Sequence, residues 1–169
     1  MKKFDTNKKH NFNSILKKIL FNIFPAYRRT CARICFISDD LKEVHIKLGL
    51  KWTTRNYVWS AFGGSVYGAL DPIFMVQLIN ILGNKYVVWD KSATIKFIRP
   101  IKQVVFARFL ISDNLLSEIK KEIELNKEME IELSAHFSDE SEKTYAKVTQ
   151  KLYIADKEFY NQKKLQNKN

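Results

Sequence analysis

Apolar residues near the N-terminus recur every three or four positions, which is the spacing of an amphipathic helix. The stripe ends at Pro25, and Ser14 is placed to cap the start of this helix. The sequence therefore predicts a short helix between Ser14 and Pro25, with the charged Lys17 and Lys18 off its apolar face. The apolar positions are Ile15, Leu16, Ile19, Leu20 and Ile23.

A second apolar run, residues 65–82, is continuous and not periodic, and it ends at the helix-stop signal Gly83-Asn84. A helix that is apolar almost all round must be buried. Pro72 lies inside it, and its ring opposes the carbonyl group of Gly68. The pattern predicts a long central helix with a kink or broken turn at Pro72.

Six other segments have the composition or the alternation of strands, and residues 43–50 alternate most regularly between apolar and polar side chains. Because a sheet with one apolar face must cover something, we expect an α+β fold in which one antiparallel sheet wraps around the central helix, with an N-terminal helical extension. A polar surface helix is predicted at 114–125. The predicted strands are 31–38, 43–50, 86–98, 104–112, 129–137 and 143–154.

Composition indicates a globular chain: 169 residues, of which 46% are hydrophobic and 28% charged. The net charge of +11 is concentrated at the ends, with +7 in residues 1–29 and only +2 in residues 30–155. The body therefore lacks the charge pattern of a nucleic-acid-binding domain. We expect a flexible basic leader (1–13), a single domain that includes the N-terminal helix (14–155) and a basic tail (156–169).

Cysteine spacing and hydropathy indicate a cytoplasmic protein. Cys31 and Cys35 on one strand would be about 13 Å apart, too far for a disulfide, and two free thiols suit a reducing compartment. The apolar stretch near the N-terminus is far shorter than the roughly 20 residues that a bilayer requires. Contact of the basic N-terminal helix with an anionic membrane is possible, although packing on its own domain is favoured. No metal site is expected, since His10, His45 and His136 lack ligand spacing.

The chemistry-bearing residues cluster around the start of the central helix. Gly63 and Gly64 precede it, so its first N–H groups are unpaired and open to a carbonyl oxygen. Asp71 follows two turns later, on the same side of the helix. A buried carboxylate near oriented N–H donors can activate water, or attack directly, beside a polarised carbonyl. Simpler alternatives are a tight helix entry at the glycines, a carboxylate that caps the proline break, and an Asn56 that caps a turn.

The string Asn56, Phe62-Gly63-Gly64, Asp71 resembles the signature of hotdog-fold acyl-CoA thioesterases of the phenylacetyl-CoA thioesterase type. In that signature His-Gly-Gly follows the Asn by six residues, and an Asp lies seven beyond the last Gly. Over residues 14–155 the chain resembles the uncharacterised thioesterase-like branch of this superfamily. The further matching motifs are Pro25-Ala26-Tyr27-Arg28, Arg55-Asn56-Tyr57, Asp71-Pro72, Trp89-Asp90-Lys91 and Phe97-Ile98-Arg99-Pro100.

The resemblance implies a hotdog fold, a homodimer with one continuous sheet or a homotetramer, and an acyl-thioester site at the subunit interface. It implies Asp71 as general base or nucleophile, the Gly64 N–H, assisted by Ser65, as carbonyl donor, and Asn56 as the residue that orients water or substrate. The substrate would be a coenzyme A thioester, with no cofactor. Phe62 departs from the His of many active relatives. The alternative is a non-catalytic acyl-thioester or lipid-binding module.

Further substrate contacts are expected from the strand that follows. Asp90 and Lys91 face opposite sides of a strand, so at most one enters the site, and Asp90 is a second candidate for the acting carboxylate. Lys91 and Arg99 could meet the phosphates of coenzyme A, unless they are only solvated strand-end charges. Tyr57, Phe62 and neighbouring aromatic residues are expected either to line an acyl pocket or to fill the core.

Overall fold

The computed structural model describes residues 12–166, with side chains from Ser14 onward. Within that range there are six α-helices, six β-strands and a short 3-10 turn at Trp52–Thr54. The helices are α1 (Phe12–Ile23), α2 (Pro25–Arg29), α3 (Gly63–Leu70), α4 (Pro72–Leu82), α5 (Asp113–Asn126) and α6 (Lys157–Gln166). The strands are β1 (Ala32–Ile37), β2 (Glu43–Leu48), β3 (Tyr86–Phe97), β4 (Val105–Leu110), β5 (Glu128–Ser138) and β6 (Thr144–Asp156).

The strands form one antiparallel sheet in the order β1-β2-β4-β5-β6-β3. Its inner face packs on α3 and α4, which together form the central helix, so the predicted α+β architecture is confirmed. The buried side chains of the central helix include Val66, Leu70, Ile73, Phe74 and Leu78. They meet sheet residues that are also buried, such as Ile46, Phe109, Phe137, Val148 and Leu152.

The central helix is interrupted at Asp71, as the proline predicts. Asp71 keeps helical dihedral angles (φ −48°, ψ −54°), and Pro72 is the first residue of α4. Since proline has no N–H, the hydrogen-bond ladder loses the bond that would reach Gly68. Over its whole length, Gly63–Leu82, this helix has the length and composition to cross a bilayer. Here it is the core helix that the sheet surrounds.

The N-terminal helix differs from the prediction in its start and in the direction of its apolar stripe. It begins at Phe12, and Ser14 is a buried residue inside it, not its cap. Ser14 and the half-buried Phe21 and Asn22 are on the side that packs against β1, where the Asn22 side chain pairs with the backbone of Ile34. The stripe residues are all exposed on the other side. An apolar stripe is usually the packing face of a helix, but here a polar face docks instead.

The expected basic tail contains a helix that the sequence analysis does not predict. Residues 157–166 form the helix α6, and a salt bridge between Lys163 and Glu128 ties it to β5. The expected leader, residues 1–13, lies outside the described residues except for the backbone of Phe12 and Asn13, which belongs to α1.

Strand β3 lies at one end of the sheet and pairs only with β6 among the described strands. Its residues from Trp89 to Thr94 are exposed, and so are Lys96 and Phe97. The pairing register shifts between Asp90 and Ser92, so Lys91 is an extra residue that bulges from the strand.

Candidate functional site

Asp71 is one member of a polar cluster under the break in the central helix. The Gln150 side chain, fully buried on β6, donates from Nε2 to the backbone oxygen of Asp71 at 2.6 Å. The same nitrogen lies 3.5 Å from Asp90 Oδ1 on the neighbouring strand β3. The Tyr67 side chain, one turn before the break, interacts with the Asp71 side chain. The cluster therefore joins two carboxylates, an amide and a phenol from three elements of the fold.

The electrostatics of this cluster show that the two carboxylates interact. Asp90 is an exposed residue, but burial of its carboxyl group, which faces Gln150, and the negative charge of Asp71 raise its pKa to about 6. The pKa of Tyr67 is raised to about 12, first by its hydrogen bond to Asp71 and then by burial. A carboxyl group that titrates near neutral pH is typical of a site that exchanges protons.

Gln150 also leaves one buried polar atom unused. Its Oε1 atom has no hydrogen-bond partner among the described residues. A buried acceptor without a donor is costly, so such atoms usually hold a water molecule or a ligand group. This acceptor belongs to the same side chain that touches Asp71 and Asp90.

Asp71 lines an apolar cleft between the N-terminal helices and the central helix. The cleft has a volume of about 560 Å³, within the range of about 300–1,000 Å³ that is usual for small-molecule sites. One wall is formed by Leu20 and Phe24, and the opposite wall by Met75 and Val76. Asp71 is the only ionisable carboxyl group among its lining residues, so the cleft combines an apolar body with one acidic group.

The glycine end of the central helix opens into a different cleft. Val66 N–H bonds back to Phe62 O at 3.1 Å, so the N–H groups of Gly63, Gly64 and Ser65 precede the helical hydrogen-bond ladder. Gly63 lines a cleft of about 400 Å³ together with Asn56, Phe97 and Arg99. Seven residues of helix separate Gly64 from Asp71 by about 10 Å. Within one chain the glycine donors and the carboxylate therefore do not face the same cavity.

Phe62 lies directly over the glycines. A Cβ atom on Gly64 would be 2.5 Å from the Phe62 ring, so a glycine is needed at position 64 while the ring keeps this place. The ring is exposed, as are Tyr57 and Trp59 in the preceding loop. The core-filling alternative for Phe62 and Tyr57 is therefore wrong.

Asn56 uses both the oxygen and the nitrogen of its side-chain amide inside the turn of residues 56–60. Its Oδ1 atom accepts from the N–H groups of Val58 and Ser60, and its Nδ2 atom donates to the Ser60 hydroxyl. The structure thus has Asn56 in the turn-capping arrangement. Its role in orienting water or substrate stays a prediction.

The basic candidates on and after β3 already have protein partners. Lys91 and Lys151 both bind Glu130, so the Lys91 ammonium group is held on β5 and not at the Asp71 cluster. Arg99 donates to the backbone oxygen of Thr144, at the mouth of the second cleft. Of the two, only Arg99 lines one of the two clefts, together with Gly63.

Gln150 was missed by the sequence reasoning. It is separated from Asp71 by 79 residues, and it is buried on a strand whose other inward side chains are apolar. A lone polar residue at an inward position of a predicted strand is the only sequence signal that points to it.

A family model described as "Domain of unknown function (DUF4442)" matches residues 13–154 of this chain. A comparison with curated proteins finds no match. Among solved structures, the chain is similar to a protein of unknown function from Pseudomonas aeruginosa described as a probable thioesterase. That similarity has a TM-score of 0.74 at 15% identity, and it covers 84% of this chain and 95% of the other.

A second similar structure is a thioesterase from Haemophilus influenzae, with a TM-score of 0.62 at 12% identity, covering 88% of this chain and 94% of the other. A third is a mutant thioesterase from Pseudomonas aeruginosa, with a TM-score of 0.62 at 7% identity, covering 87% and 97%. At these identities the likeness shows the fold, and it confirms the hotdog architecture expected from the sequence.

Proposed function

Because the chain belongs to the DUF4442 family and has the hotdog fold, we propose that it hydrolyses acyl thioesters of the acyl-CoA type. The observation that carries the proposal is the place of Asp71: it lies at the break of the central helix, lines an apolar cleft and contacts a polar cluster. The acyl chain would occupy the apolar cleft, and the thioester carbonyl would lie beside the carboxylate.

In the reaction, Asp71 takes a proton from a water molecule as the water oxygen bonds to the thioester carbon. The tetrahedral intermediate then expels the thiolate, which takes the proton held by Asp71, so the products are a carboxylic acid and a thiol and the Asp71 carboxylate is regenerated. Gln150 Oε1, an acceptor without a partner among the described residues, is suited to hold the attacking water. Asp90, with its pKa near 6, lies close enough to Asp71 to share in the proton transfer.

Stabilising the intermediate requires donors that one chain does not bring to Asp71. Because Gly64 is about 10 Å away along the same helix, we propose that Gly64 of a second copy polarises the carbonyl, with Ser65 assisting. The working enzyme is then a homodimer, alone or doubled to a homotetramer. The second cleft, lined by Gly63 and Arg99, would take part of the coenzyme A group.

The exposed edge of β3 supports this assembly. An unpaired strand edge with large apolar side chains invites another strand. Trp89 and Phe97 are 53% and 58% exposed on β3, and pairing of two β3 edges would cover this strand and join the two sheets. Phe97 also lines the Gly63 cleft, so the same contact would bring the second copy to the site.

Free cysteines support the cytoplasmic setting that we propose for this activity. Cys31 and Cys35 are both free thiols in the structure.

The test is thiol release from a panel of acyl-CoAs of different chain length, with the Asp71→Asn variant beside the unaltered chain. We expect kcat/KM to fall about 100-fold or more in Asp71→Asn, since general base catalysis contributes about 10²–10⁴. The matched control is Asp39→Asn, an exposed aspartate in the β1–β2 turn, which should leave the rate unchanged. Full activity in Asp71→Asn would exclude Asp71 as the base.

The alternative is an acyl-thioester or lipid-binding module without turnover. Phe62 favours it, because a phenyl ring that lies over Gly64 supplies no hydrogen bond where many active relatives have His. Calorimetric binding of acyl-CoA without thiol release from any member of the panel would establish this alternative.

A further inference from the structure

The apolar stripe of α1 faces solvent, which is unusual for a helix attached to a folded domain. Leu16, Ile19, Leu20 and Ile23 are 46%, 49%, 55% and 57% exposed, and Phe24, directly after the helix, is 61% exposed. The side chains lie together because positions three and four apart share a helix face. The helix is held in this orientation by its polar side, where Asn22 makes two hydrogen bonds to Ile34.

Positive charge lies along the border of this stripe and next to it. Lys17 and Lys18 are half-buried on α1 at the border with the packed side, and Arg28 and Arg29 are exposed on α2. Lys17 Nζ contacts a backbone oxygen, that of Asp39, at 3.4 Å. None of these four side chains pairs with a carboxylate among residues 12–166. The sequence of residues 1–29 has a net charge of +7, against +2 for residues 30–155.

We propose that α1 and α2 form a docking surface for an anionic lipid bilayer. An exposed apolar helix face bordered by lysine and arginine is suited to lie in the plane of the bilayer surface, with the apolar side chains between the headgroups. The exposed Arg28 and Arg29 then face anionic lipid headgroups. A protein partner would need a complementary acidic and apolar surface, whereas the body of a second copy of this chain is nearly neutral.

The surface is continuous with the cleft that contains Asp71. Leu20 of the exposed stripe and Phe24, directly after the helix, also line that cleft. Docking therefore turns the mouth of the cleft toward the bilayer. The docking itself depends only on the surface of α1 and α2, so it does not rest on the proposed hydrolysis.

The experiment is flotation of the full chain with vesicles of phosphatidylcholine alone and with vesicles that contain equal parts of phosphatidylcholine and phosphatidylglycerol. We expect binding to the anionic vesicles, weaker binding to the neutral ones, and loss of binding as sodium chloride screens the charges. The double variant Leu16→Glu with Ile19→Glu should bind the anionic vesicles more weakly by about tenfold or a larger factor. Each of Arg28→Gln and Arg29→Gln should weaken binding about fivefold.

The matched control is Leu125→Glu with Leu165→Glu, which makes the same charge change at two other exposed leucines. This control should bind anionic vesicles more tightly than Leu16→Glu with Ile19→Glu. Equal binding by the two double variants would overturn the proposal, and so would failure of the unaltered chain to bind anionic vesicles. Light scattering measures the size of the assembly. If Leu16→Glu with Ile19→Glu alone forms a smaller assembly and still binds vesicles as the unaltered chain does, the stripe mediates contacts between copies, and the membrane proposal is overturned. Circular dichroism checks that each variant is folded.

Discussion

Two apolar helices of this chain have opposite environments. The central helix, α3–α4, packs its apolar side chains against the surrounding sheet, and Leu78 is fully buried. The N-terminal helix α1 exposes its apolar stripe, and Leu16 is 46% exposed. The difference teaches that a hydrophobic pattern identifies an apolar face but does not tell what covers it. Removing a leucine side chain should therefore lower the free energy of unfolding much more in the central helix than in α1.

The largest effect is expected for Leu78→Ala in the central helix. Removing a fully buried leucine side chain loses its transfer free energy and leaves a cavity, which costs about 2–5 kcal/mol. Chemical denaturation should show this loss in the free energy of unfolding. A loss below about 1 kcal/mol would mean that the central helix is much less tightly packed than the structure shows.

A smaller effect, of opposite sign, is expected for Asp90→Asn beside the break in the central helix. The pKa of Asp90 is raised from 3.8 to about 6, so the folded state binds its proton more tightly than the unfolded state. Ionised Asp90 therefore destabilises the fold above about pH 6, and this cost disappears as the pH falls toward 3.8. Because the residue is exposed and screened by solvent, we expect Asp90→Asn to stabilise by only about 1 kcal/mol at pH 7.

Denaturation curves at pH 7 and pH 4 measure this difference between Asp90→Asn and the unaltered chain. The stabilisation should be clear at pH 7 and nearly absent at pH 4. An equal effect at both values would show that the variant acts through packing and not through the charge of Asp90.

The smallest effect is expected for Leu16→Ala in α1. The side chain is exposed, and alanine is at least as good a helix former as leucine, so the free energy of unfolding should change by less than about 0.5 kcal/mol. The measurement is the same denaturation curve as for Leu78→Ala, in the absence of lipid. A loss comparable to that of Leu78→Ala would show that another molecule covers the stripe in solution.

The sequence predicted the elements that are determined by residues close together along the chain. The alternation of residues 43–50 and the proline at position 72 gave the strand and the helix break close to where the structure has them. The direction of α1 could not be predicted, because it depends on Asn22 reaching the backbone of β1. The helix α6 was missed since its sequence is polar, and a distant partner, Glu128, contacts its Lys163.

The candidate site was predictable only in part, because it too depends on contacts between residues that are far apart in the sequence. Asp71 was found because it is an acid in an apolar run, and Asp90 because it is an acid on a predicted strand. Gln150 became visible only when the fold placed it against the backbone oxygen of Asp71 and the carboxylate of Asp90. The distance between Gly64 and Asp71 along one helix follows from the helix rise per residue, so it could have been calculated from the sequence.

The bulge at Lys91 affects which other strands could pair with the exposed edge of β3. An extra residue interrupts the even spacing of N–H and C=O groups along β3. A straight strand from an unrelated chain cannot match such a kinked edge over its full length, whereas a twofold-related copy presents the same kink in reverse. The bulge should therefore oppose uncontrolled edge-to-edge pairing at β3, as bulges on edge strands do in other sheets.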